Sequence, residues 1–437
     1  MPAEPAKEQE EKLIRALGVP GLTANIVNTT IGAGIFALPA AVALKLGAAA
    51  PIAFAICAVA MALFVTCFAL AGSRVSLTGG LYAYVEVAFG RYIGFLTAVL
   101  LYLSAVLSVA GVVTLFAGSV AELVPALNAP LGRGALMFII YALLAGINVR
   151  GVRAGGRAVA VVTVAKLIPL VAFVAIGIFF IQPSAIAWPG WPTSDAIGGT
   201  VLLLMFAFVG IEVALVPSGE VKNPSRTVPR AIYTALVITT LLYIAIQLVA
   251  QGILGPQLSN YPTAPLAEAA GRTFGSLGRT VLLGGATISA FGFVASDILG
   301  SPRYFFALAR DGILPKIFAH LHPRYRSPDV AIIAYALIAF GFSLTSTFEA
   351  LAVMANVAVL FAYLLCCVAA WELIRRNVRS DGPPFDFPGA KLIPAISVAA
   401  IIWILVHATL REFVVTGVVL ATASVIYLVR IALAPKK

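Results

Sequence analysis

The sequence predicts an all-α integral membrane protein with about twelve transmembrane helices, and three observations predict it. Of 437 residues, 61% are apolar and only 11% are charged, whereas a soluble globular domain carries about 25% charge. The apolar residues gather into runs that suit helices crossing a hydrocarbon core, which takes about 20 residues. The basic residues gather in alternate loops between those runs, as the positive-inside rule requires. The alternating lipid-facing and lumen-facing strands of a β-barrel are not seen in the sequence.

Taken in order, segment 1–17 is polar and mixed in charge. It lacks the apolar region and cleavage site of a secretory signal, so the first apolar run is expected to be a retained span. The runs lie at 20–44, 49–73, 92–124, 134–150, 157–182, 198–217, 230–252, 279–309, 328–346, 349–374, 391–410 and 412–433. The third and eighth are long enough to tilt or to extend past the membrane. The last two are parted only by Arg411 and Glu412, which reads as a tight helical hairpin ending in a short tail, 434–437.

With the N-terminus placed in the cytoplasm, 23 of the 29 Lys and Arg residues fall on the inner side. Only Lys45, Arg133, Arg272, Arg279 and Arg411 fall outside, and Lys166 falls inside a span. Both termini are therefore expected to be cytoplasmic. The net charge of +11 is a topology signal rather than a nucleic-acid footprint, because it is spread over many short loops. Cys57, Cys67, Cys366 and Cys367 sit in apolar runs without metal-ligand spacing, so neither disulfide nor metal is expected. His320 and His322 share a loop and His407 stands alone in a late run. No cluster suited to catalysis emerges, and the chain is not expected to be an enzyme or to hold a cofactor.

Two runs carry glycine inside otherwise good helix. The first reads Asn28-Thr29-Thr30-Ile31-Gly32-Ala33-Gly34-Ile35-Phe36, then Pro39; the sixth reads Phe206-Ala207-Phe208-Val209-Gly210-Ile211-Glu212, then Pro217. Glycine costs a helix about 1 kcal/mol against alanine, and two within three residues invite unwinding. Close helix packing on small residues explains one such segment as well as unwinding does. Two segments five spans apart favour unwinding, in corresponding positions of two inverted repeats, 18–182 and 198–374, with a substrate site at the midplane. At 1.5 Å per residue, Ala33 and Val209 lie about 20 and 17 Å into a core about 30 Å thick. Unwound backbone there offers N–H groups to a carboxylate and free carbonyls to an ammonium, and a zwitterionic α-amino acid carries both.

Lys166 follows Arg157 by nine residues, hence about 14 Å into the membrane. A charge at depth costs at least about 2.5–3.5 kcal/mol. Two readings stand: a lysine whose ammonium snorkels to the interface, and a cation held among oxygen ligands where another carrier would bind sodium. The second makes it a candidate proton site.

These segments resemble the amino acid–polyamine–organocation superfamily, whose LeuT-type fold has ten helices in a 5+5 inverted repeat, here followed by two C-terminal helices at 391–433. The resemblance covers nearly the whole chain. It rests on Ile31-Gly32-Ala33-Gly34-Ile35-Phe36 and on the sixth-run motif. It rests also on Gly219-Glu220-Val221-Lys222-Asn223-Pro224-Ser225-Arg226 with the following Thr227-Val228-Pro229-Arg230, and on Arg303-Tyr304-Phe305-Phe306-Ala307-Leu308-Ala309-Arg310-Asp311-Gly312-Ile313-Leu314-Pro315. It implies that Ala33 and Gly34 donate N–H groups to a substrate carboxylate, that Thr30, Phe206 and Val209 accept from the ammonium through carbonyls, and that Phe206 closes over the substrate. Ile31, Gly32, Phe208 and Gly210 complete the expected substrate contacts. It also implies that Lys166 is the fifth-helix lysine of sodium-independent members, with Ser289 as its neighbour. Glu212 fits a family glutamate, as a coupling group or a structural hydrogen-bond acceptor. Three departures stand out. Ala33 occupies a position where many relatives have serine. Ser76-Leu77-Thr78-Gly79-Gly80 lacks a proline common before its glycines. Asp297 is an acid where a neutral residue is expected, either a coupling site or an interfacial partner of Arg303.

The expected function is sodium-independent secondary transport of neutral amino acids across the cytoplasmic membrane, by proton symport or exchange. A carrier of cationic amino acids or polyamines with the same fold, and a non-transporting amino-acid sensor, stand as alternatives. The expected partners are a small amino acid, the bilayer and protons, with no nucleic acid.

Overall fold

The computed structural model of the protein describes residues 18–75, 80–127, 129–150, 156–188, 190–212, 221, 224–310, 312–379 and 383–433. The sequence readings that fall on 1–17, 76–79, 151–155, 213–220, 222–223, 311 and 434–437 lie outside them.

The first run folds as two helices, α1 (Val19–Thr30) and α2 (Gly34–Leu46), and α3 (Ala50–Gly72) follows. A short α4 (Leu81–Phe89) leads into α5 (Arg91–Leu123), α6 (Pro130–Val149) and α7 (Gly156–Gly177). The second half opens with α8 (Ser194–Leu204), which tightens into a 3₁₀ turn over Met205–Ala207. Then come α9 (Pro224–Leu254), α10 (Pro265–Gly300), α11 (Pro302–Arg310), α12 (Asp329–Thr345) and α13 (Phe348–Arg375). The chain closes with α14 (Ile393–Leu405) and α15 (Leu410–Leu433).

Local chemistry sets these boundaries. Proline in the first turn of α1, α3, α6, α10 and α14 starts helices where its missing N–H is harmless. The Thr193 and Thr347 hydroxyls accept from the Ala196 and Ala350 N–H groups and cap α8 and α13. The eighth run differs from expectation. Its helix starts earlier, at Pro265, and is kinked at Gly275, whose φ of 67° only glycine takes without strain. It stops at Gly300, and Arg303 belongs to the separate α11.

Seven helical stretches among the described residues are long and apolar enough to cross a bilayer, and four shorter apolar helices accompany them. Among these, Gly34–Gly72 counts α2 and α3 as one stretch, and Pro265–Arg310 counts α10 and α11 as one. The outer surface is apolar: Leu131, Phe179 and Leu410 are 86, 83 and 78% exposed, as suits a lipid solvent.

Helix contacts recur in pairs related by exchanging the two halves. Where α9 packs on α1, α3 packs on α8; where α13 packs on α5, α10 packs on α7; where α9 meets α7, α13 meets α3. The α12–α5 and α10–α6 contacts form another such pair. This is the pattern of a five-plus-five repeat. A single hydrophobic cluster runs from Leu22 to Leu405 through both halves.

Candidate functional site

Both glycine-bearing runs are broken, and the breaks meet. Helix α1 stops at Thr30 and α2 resumes at Gly34. In an unbroken helix the Asn28 carbonyl would accept from the Gly32 N–H. Instead the Gly32 N–H donates to the Thr30 carbonyl at 2.9 Å, which leaves the Asn28 carbonyl to Lys166, whose Nζ donates to it at 2.6 Å. Lys166 is buried. Its ammonium therefore ends on main chain freed by the first break, and not at an interface.

The second break turns at Gly210, where φ is +112°. A Cβ there would stand 2.9 Å from the Thr29 carbonyl oxygen, so glycine is needed twice, for the backbone angle and for the close approach of two main chains. The Gly210 N–H donates to Glu212 Oε2 at 3.0 Å, and the Tyr363 hydroxyl donates to the same oxygen at 2.6 Å. Tyr243 of α9 joins the breaks: its hydroxyl lies 3.1 Å from the Thr30 carbonyl and 2.9 Å from that of Ala207. One hydroxyl proton does not fill two carbonyls at once, so acceptor capacity remains between the breaks.

The first N–H groups of α2 have no intrahelical acceptors and face this region at Gly34. The Phe206 ring lies over Gly34, with Cδ1 3.0 Å from where a Cβ would stand, and packs edge-on against Phe348 at 5.5 Å. Several buried polar atoms lack hydrogen-bond partners here: Asn28 Oδ1, Thr30 Oγ1 and Ser289 Oγ. Unpaired buried polar groups are costly and mark a place suited to a polar ligand. Beside Ala33, a crevice lined by Phe36, Leu115, Leu282, Ala286 and Ala290 leads toward Thr263 in the connection between α9 and α10. Its walls are mainly apolar.

The structure therefore brings together Thr30, Ile31, Gly32, Ala33, Gly34, Phe206, Val209 and Gly210, with Lys166 beside them. Phe208 is fully buried, its ring on Tyr243 at 5.4 Å. Ser289 is buried on α10, but Lys166 and Ser289 share no hydrogen bond. Asp297 forms no ion pair with Arg303; it accepts a short hydrogen bond from the Tyr335 hydroxyl of α12.

Two contributors escaped sequence reasoning, Tyr243 and Asn356. Asn356 Nδ2 donates to the Leu202 and Leu203 carbonyls at 2.7 and 3.2 Å, at the end of α8. A polar residue inside an apolar run was the available signal, but it does not say which partner such a residue meets.

Residues 17–433 match the family model described as amino acid permease. Among curated proteins of Bacillus subtilis, the chain is 27% identical to a methylthioribose transporter, over 91% of this chain and 89% of that one. It is 26% identical to the serine/threonine exchanger SteT, over 91 and 92% of the two chains. It is 25% identical to the branched-chain amino acid permease BcaP, over 92 and 90%. With a family match across almost its whole length, and a fold and paired breaks of the kind expected for the amino acid–polyamine–organocation superfamily, the chain belongs to the amino acid permease family.

Proposed function

We propose that this permease is a sodium-independent secondary transporter of neutral amino acids, binding the substrate's α-carboxylate and α-ammonium on main-chain groups freed by the two breaks. The observation that carries this is the Lys166 ammonium on the Asn28 carbonyl, a fixed cation on main-chain oxygen at the place where a sodium ion would otherwise be held. The N–H groups of Ala33 and Gly34 take the carboxylate. The carbonyls of Thr30, Phe206 and Val209 take the ammonium. Phe206 covers the bound molecule from above Gly34.

A neutral side chain is favoured by what surrounds the breaks. Glu212, the acid beside the second break, already accepts from Gly210 and Tyr363, and the crevice at Ala33 has mainly apolar walls. The likeness to transporters of different cargo gives no substrate by itself. Lys166 is the proposed proton carrier, and Ser289, Glu212 and Asp297 are the further polar groups a proton would visit.

The test is uptake by the purified protein in proteoliposomes. Labelled alanine, serine or leucine enters at the same rate with sodium or with choline as the bulk cation. A pH gradient and an internal pool of unlabelled amino acid are imposed separately, which distinguishes symport from exchange. Uptake that collapses when sodium is withdrawn rules out the role given to Lys166. Arginine and putrescine as competitors separate the cationic alternative.

A further inference from the structure

One face of α13 follows the broken sixth span across its break. Phe348 packs on Phe206. Asn356, fully buried about two turns further along, donates to the Leu202 and Leu203 carbonyls. Tyr363, about two turns beyond that, donates to Glu212 on the far side of Gly210. The three contacts differ in kind, being ring on ring, amide to carbonyl and hydroxyl to carboxylate, yet all reach one element. On its other side α13 packs along the length of α5, so the grip is anchored to a long unbroken helix.

The chemistry explains why Asn356 matters most. The last turn of α8 tightens into a 3₁₀ turn at Met205–Ala207, where the Met205 N–H donates to the Leu203 carbonyl. A carbonyl oxygen has two lone pairs, and the Asn356 amide adds a tertiary donor to the Leu203 carbonyl and another to that of Leu202. Without it, this turn loses its polar tie to α13, and Phe206, which follows within that turn, is free to shift.

We propose that Asn356 is a positioning residue for substrate binding. Its amide fixes the end of α8 so that Phe206 stays seated over Gly34, while Phe348 and Tyr363 extend the grip to either side of the break. This role presupposes that substrate binds between the two breaks.

The experiment compares Asn356→Leu, Asn356→Ala and Gly34→Ala with the unmodified full chain in proteoliposomes. KM and maximal rate per folded molecule are read for labelled alanine, serine and leucine. The leucine variant keeps the volume and removes the donors. It raises KM about tenfold, as loss of one or two hydrogen bonds to buried carbonyls requires, with a much smaller change in maximal rate. A merely structural role lowers the amount of folded protein and leaves KM alone. The alanine variant is read in the same way should the leucine variant not fold. An unchanged KM in the Asn356 variants, with a raised KM in Gly34→Ala, overturns the positioning role alone. An unchanged KM in all three overturns the binding site itself.

Discussion

At the residue scale, the site depends on main-chain groups that side chains either complete or leave open. Lys166 completes the Asn28 carbonyl, and a hydrogen bond from a charged donor contributes about 1.5–3 kcal/mol. Lys166→Ala is therefore expected to lower uptake about tenfold or more, read in proteoliposomes at equal amounts of folded protein. Wild-type rates in that variant remove Lys166 from the mechanism. Tyr243→Phe keeps the ring on Phe208 and removes only the hydroxyl shared by Thr30 and Ala207. Uptake in that variant is expected to fall with the thermal midpoint little moved, since the substrate ammonium and water reach both carbonyls. Gly210→Ala behaves differently. It forces an unfavourable backbone angle, about 1–3 kcal/mol, and drives a Cβ toward the Thr29 carbonyl. Its thermal midpoint is expected to drop, and an unchanged midpoint contradicts the close approach of the two breaks.

At the element scale, the broken helices were legible in the sequence and their partners were not. Gly32, Gly34 and Gly210 announce themselves because their two segments recur five spans apart, in corresponding positions of a repeat. Tyr243 and Asn356 give no such signal, since a tyrosine or asparagine in an apolar run looks the same whether it meets a carbonyl, a water or a neighbouring hydroxyl. Asp297 illustrates this limit: the sequence left it as either a coupling site or a partner of Arg303, and the break after Gly300 puts Arg303 on a separate helix while the acid accepts from Tyr335. Hydropathy placed the start of α13 within one residue, at 349 against Phe348, and that of α6 four residues late, at 134 against Pro130. It missed the start of α10, because Pro265–Phe274 carries too few apolar residues to read as part of a span. Gly275→Ala there is expected to cost about 1 kcal/mol, since its φ is positive although open space surrounds it. The kink lies away from the breaks, so transport is expected to persist while the thermal midpoint falls slightly.

At the scale of the whole molecule, two five-helix halves with exchanged contacts place their first helices together. This is why segments far apart in sequence share one site. The positive-inside count gives an orientation that impermeant thiol reagents can check directly. All four native cysteines are buried, so they give little background. Single cysteines introduced at Gly47 and Ser346 are expected to be labelled from outside intact cells, and one at Asn377 only after permeabilisation. Labelling in the reverse sense overturns the orientation.

The central claim is that bare main chain at two breaks recognises the α-carboxylate and α-ammonium of an amino acid. Thermal stabilisation of the purified protein tests it most directly, because a ligand that binds the folded state raises its midpoint by mass action. A neutral amino acid that stabilises the protein is compared with its amide and its N-acetyl derivative, which keep the side chain and mask one charge each. Both derivatives are expected to lose the stabilisation. Undiminished stabilisation by either one contradicts recognition through the breaks.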